Sequence, residues 1–242
     1  MNESSKTHSP QEIKLAGQTI VIPADFQKLR TLPDDPADSV AYGAQTDGTS
    51  CFLLIYPTQK TRAMPFDDVD SISKGIHASL GDKQGLIEIN SLMDSEGRKC
   101  VYTVVKSLKQ PSGVQYNLTL QIHYPNNVIH FQGFFDEGKI TGTRDAMILS
   151  MAMQQGILQP GSLEGWSKDP YDESYNKGVP RNLSEDEAYD ELFPDHPLSV
   201  LRRFVRTVLQ IPAPESEEES DEKGSWQPVD YVLEDSMKPT WG

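Results

Sequence analysis

Residues 114–135 read VQYNLTLQIHYPNNVIHFQGFF, and this stretch decides the fold. Apolar and polar residues alternate on both sides of Pro125-Asn126-Asn127, the pattern of two strands folded back on one another. Asparagine tolerates the positive φ of a two-residue hairpin turn, so Asn126-Asn127 is the expected turn. That register sets Tyr124 against Ile129, Ile122 against Phe131 and Leu118 against Phe135 on one side. Gln121 then faces Gln132, and His123 faces His130, on the other. Two stretches read separately sort into one apolar and one polar face, which supports the hairpin. The apolar face needs a cover, expected from a helix carrying Val69, Ile72 and Ile76 or from the methionine-rich helix that follows the hairpin.

Upstream, GLIEINSL and RKCVYTVVKSL extend the hairpin into a four-strand antiparallel meander. Before them a helix is expected, capped by Asp67, with Val69, Ile72, Ile76 and Leu80 along one face and Gly81 at its end. TSCFLLIYP is a nearly continuous apolar run and reads as a strand buried on both faces. QTIVI and SVAYGAQ read as short strands around the Pro/Asp-rich turn TLPDDPADS, and residues 1–12 read as disordered. Downstream, RDAMILSMAMQQG reads as a helix ended by Gly156. It is apolar nearly all round, which calls for a cover besides the sheet.

Residues 182–206, NLSEDEAYDELFPDHPLSVLRRFVR, supply the next helical surface. Ser184 and Glu187 fit a capping box, so a short helix is expected from Glu185 to just before Pro194. A second helix begins at Pro197 or Ser199, with the stripe Leu198, Leu201, Val205 and Val208 turned inward and Arg202, Arg203 and Arg206 on the other side. The expected organisation is an α+β domain over 13–156, an antiparallel meander between helices in an α/β/α sandwich. A helical corner over 157–210 packs on it, and an acidic linker with an aromatic tail follows over 211–242.

Net charge is −14, and from Asn182 onward five basic residues stand against fifteen acidic ones. Such a field repels phosphate, so nucleic acid is not an expected partner. No apolar run is long enough to insert into a bilayer. The N-terminal residues carry no export signal, and a cytoplasmic location is expected. Cys51 and Cys100 lie in apolar strands and read as buried small hydrophobes.

Catalytic and cofactor signatures are weak. Gly133–Lys139 has phosphate-loop spacing, but Ile140 stands where a magnesium-binding hydroxyl belongs, and Asp136 and Glu137 would oppose a phosphate. It reads better as a turn and helix cap. His123 and His130 are only two ligands, and no Cys-X-X-Cys or His-Glu-X-X-His adds to them, so no metal or cofactor is expected. His196 beside Asp195 lacks an evident nucleophile and reads as a capping residue.

The element order carried by QTIVIPADF, FLLIYP, the 67–80 helix and the run from Leu86 to Gln155 resembles the PsbP-like fold, including the bacterial DcrB-related proteins. The resemblance implies a binding role, since that class consists mostly of adaptors, photosystem accessory proteins and chaperones. The expected function is therefore a non-enzymatic adaptor or chaperone-like module of the bacterial cytosol that binds another protein. Arg202, Arg203, Arg206, Trp226, Tyr231 and Trp241 are its candidate contact residues. The alternative is a small hydrolase or metal-dependent enzyme using the His123/His130 face.

Overall fold

The computed structural model describes residues 10–212. A two-stranded sheet pairs β1 (Gln11–Leu15) with β2 (Gln18–Ile22). The main sheet is built from β3 (Gln27–Leu29), β4 (Val40–Gln45), β5 (Thr49–Thr58), β6 (Gln84–Met93), β7 (Lys99–Leu108), β8 (Val114–His123) and β9 (Val128–Glu137). Its order is β3-β4-β5-β9-β8-β7-β6, antiparallel throughout. Helices α1 (Val69–Ser79), α2 (Thr143–Gln154) and α3 (Pro197–Leu209) complete an α+β architecture.

Several local expectations change. Gln11 and Glu12, expected to be loose, belong to β1. Its hairpin turns on Ala16 and Gly17, both at positive φ, and alanine gives no hint of that conformation. The β8–β9 hairpin turns on Pro125-Asn126, because Tyr124 N–H donates to Asn127 O at 2.9 Å. Neither asparagine takes a positive φ. Proline fixes the first turn position instead, and the register moves by two residues: Leu120 faces Phe131, Tyr116 faces Phe135 and Gln121 faces His130. A shift of two preserves the faces, so the apolar side stays apolar. Strand β5 is not buried on both faces, since Ser50 and Phe52 are exposed.

The cover of that apolar face is α3. Leu198, Leu201, Phe204, Val205, Val208 and Leu209 are buried in one cluster with Leu53, Ile55, Leu118, Leu120, Phe131 and Phe135. The ring of Phe204 lies 5.1 Å from that of Phe26 and 6.3 Å from that of Phe131. Each such side chain contributes roughly 1.5–3 kcal/mol of burial, which binds the helix firmly to the sheet. Helix α1 was one expected cover. It lies on the opposite face, where Ile72 packs with Leu86, Ile89 and Val101. Helix α2 was the other, yet it buries only Arg144, Ile148 and Ala152 and leaves Met147 exposed. It is an ordinary one-sided helix, so the stripe of α3 was never needed to cover its methionines.

The acidic stretch before α3 forms two 3-10 turns, Leu183–Glu185 and Glu187–Tyr189, where a short α-helix was expected. The capping box is made by Asn182 with Glu185, two residues upstream of the expected start. A strap formed by residues 169–180 covers the outer edge of β6. Tyr171 Oη bonds the backbone of Ile89, and Val179 N–H donates to Gln84 O at 2.9 Å. A Cβ on Gly85 would stand 1.7 Å from Val179 O, so only glycine lets the strap come this close.

Candidate binding site

Among the described residues, three places bear on function. The first is a buried ionic network beneath the 3-10 turns. Arg144 sits at the start of α2 and is 1% exposed. Its guanidinium donates to Ser184 O, Asp186 O, Ser199 Oγ and Asp190 Oδ1 at 2.6–3.0 Å. Arg202 donates to the same Asp190 oxygen and to Glu88 Oε2 at 3.1 and 2.8 Å. Burial alone would lower the pKa of Arg202, but Glu88 and Asp190 outweigh it and hold the guanidinium above its ordinary value. Lys106 and Tyr116 reach up from the sheet to Glu185 at 2.8 and 2.9 Å. These bonds tie residues 184–202 to the sheet, and their role is architectural.

His196 belongs to the same region. Its Nδ1 accepts from Leu198 N–H at 3.3 Å and faces Arg144 Nη1 at 3.4 Å, so the ring proton sits on Nε2. That nitrogen stands 3.8 Å from Glu137 Oε1. Burial first, then the charges of Arg144 and Arg202, push the imidazole down to about 3. Burial raises the Glu137 carboxyl. No hydroxyl or thiol hydrogen-bonds His196 among the described residues, and the ring serves as the cap of α3.

This cap should be measurable in acid. An unfolded histidine takes up its proton near 6.5, whereas the folded one does so near 3. The stabilisation from a neutral ring is complete above 6.5 and is lost as pH falls toward 3. Asparagine keeps a capping acceptor and has no such titration. Chemical denaturation should show His196→Asn losing roughly 2–3 kcal/mol less than the parent between about pH 7 and pH 4.5. Parallel losses would sink this account of the ring.

The second group is the His123/His130 pair. The histidines share a face but stand diagonally, because His130 faces Gln121 and His123 faces Val128. His130 stacks on Tyr56, and its Nδ1 lies 3.2 Å from Gln121 Nε2. Burial lowers both imidazoles. Among the described residues no cluster of three or more His, Cys, Asp or Glu is arranged to hold a metal. The phosphate-loop spacing also dissolves, since β9 runs through Glu137, whose carboxylate accepts from Gly142 N–H and Val114 N–H.

The third group is a groove of about 600 Å³ between α3 and the β2–β3 connection. One wall is Val200, Arg203, Phe204 and Thr207; the other runs from Pro23 to Gln27. Gln11 Nε2 donates to Pro23 O and Phe26 O at 3.2 and 2.5 Å, which stiffens the second wall. The expected arginines divide sharply here. Arg202 is buried in the ionic network, so it is corrected from an outward contact to a structural ion pair. It occupies a core-facing position next to Leu201 on the helix. Arg206 is half-buried and bonds Glu187 at 2.6 Å. Arg203 is exposed, lines the groove and donates only to Pro194 O at 3.1 Å, with no carboxylate partner among the described residues. Trp226, Tyr231 and Trp241 lie outside the described residues, as does most of the acidic linker and tail.

No protein-family model matches the chain, and no curated protein matches it. Solved structures do. The yeast Ran-binding protein Mog1p (Saccharomyces cerevisiae) is 9% identical, over 84% of this chain and 93% of its own, with a TM-score of 0.42. Cyanobacterial PsbP from Synechocystis is 17% identical over 59% of this chain and 86% of its own, with a TM-score of 0.37. A Pseudomonas aeruginosa protein of unknown function, described as a putative regulator, is 11% identical over 61% and 95%, with a TM-score of 0.33. No helix among the described residues is long and apolar enough to cross a membrane.

Proposed function

We propose that the protein is a non-enzymatic protein-binding module, an adaptor or chaperone-like protein of the bacterial cytosol, and that its partner docks in the groove along α3. The observation that carries this reading is the groove's construction. Its floor is the Phe26–Phe204 contact at the top of the core, and its loop wall is clamped by Gln11. A site with fixed walls loses little freedom when filled, which favours binding over a surface that must first be ordered. By contrast, the buried network of Arg144, Arg202 and Asp190 is consumed in holding α2, α3 and the sheet together.

A photoreactive amino acid placed in the full chain tests this. At Thr207, inside the groove, it should give a discrete cross-linked partner in cells. At Met147, exposed on α2, it should give none. Adducts at Met147 alone, or equally at both positions, would move the docking surface elsewhere.

A further inference from the structure

Of the three arginines on α3, two have their carboxylates inside the fold, and one faces the groove without any among the described residues. We infer that the groove takes an extended segment of the partner carrying a single carboxylate side chain between apolar residues. This rests on the reading of the groove as the docking site. A guanidinium offers a fork of donors that matches a carboxylate, and among the described residues Arg203 spends only one bond, on Pro194 O. An apolar neighbour on the segment then lies along Pro23, Phe26 and Val200.

The opposite wall limits the acid content. Asp25 lines the groove across from α3 and is exposed. A continuous acidic run would crowd further carboxylates into a groove that Asp25 also lines. The chain as a whole carries −14, which adds to that repulsion. One acid set among apolar residues satisfies Arg203 and avoids Asp25, whereas a run of acids does not.

Selection of a displayed random-peptide library against the full chain tests the inference. Enriched peptides should share one Asp or Glu flanked by apolar residues, and should bind Arg203→Glu about tenfold or more weakly. Replacing the peptide acid by lysine should weaken binding to the parent and restore it to Arg203→Glu. Peptides enriched without an acid, yet blocked by Thr207→Trp, would overturn the acid requirement and leave the groove standing. Peptides that bind Thr207→Trp as well as the parent would overturn the groove itself. Thermal melts of both variants confirm that each is folded before binding is compared.

Discussion

Arg144→Ala should cost about 3–5 kcal/mol, the penalty for breaking a buried charge cluster from one side. Removing the guanidinium leaves the carbonyls of Ser184 and Asp186, the Ser199 hydroxyl and part of Asp190 without a donor. Asp190 is already under-supplied, because its Oδ2 is buried with no partner. A domain of this kind has roughly 5–15 kcal/mol in all, so the variant should be marginal or unfolded. Asp190→Ala should be similarly severe, since among the described residues it leaves Arg144 without a carboxylate and Arg202 with Glu88 alone. The double variant should lose less than the two single losses together, because each removes part of the same cluster. Urea denaturation of the four proteins gives the coupling. Additive losses would show that the network is not the unit described.

Leu120→Asp should unfold the protein outright. Leu120 is wholly buried between Tyr102 and Phe131 in the register, beneath α3. An unpaired carboxylate there costs several kcal/mol beyond the lost apolar burial. Thr119→Asp is the control, one residue along and on the other face, where the side chain is only half-buried. It should leave a cooperative melt. Equal behaviour of the two variants by circular dichroism would contradict the assignment of faces.

The faces of this sheet were legible because strand alternation is a local signal, and a register error of two leaves it intact. The turn was harder. Asn126-Asn127 matches the usual hairpin preference, but Pro125 takes the first turn position at its own fixed φ and wins. The cover was misassigned for a different reason. Helix α1 is nearer in sequence and has a clean stripe, whereas the decisive Phe204 lies between Arg203 and Arg206 and was left out of the stripe read for α3. Counting Phe204, Val200 and Leu209 widens that stripe to a core-facing helix. The ionic network gave almost no forewarning. Arg144 looks like any charged residue opening a helix, and only the assembled fold shows that its partners come from residues 184–199. The groove was equally hidden, although Arg203 stood among the candidates. What distinguishes it from Arg202 is a turn of about 100° around the helix, which depends on where the apolar stripe is centred.

The position of α3 has a consequence for the chain while it is being made. All strands of the main sheet have been synthesised by Glu137, but the helix that closes their apolar face does not begin until Pro197. Some sixty residues must still be added before that face can be sealed. Synthesis at about 5–20 residues per second makes this an interval of several seconds. Throughout it Leu53, Leu118, Leu120, Phe131 and Phe135 lack the cover of α3. Loop-closure entropy grows only slowly with such separation, so the arrangement costs the finished protein little stability. Its burden is kinetic, borne by a nascent sheet that must stay apart from its neighbours until its last helix arrives.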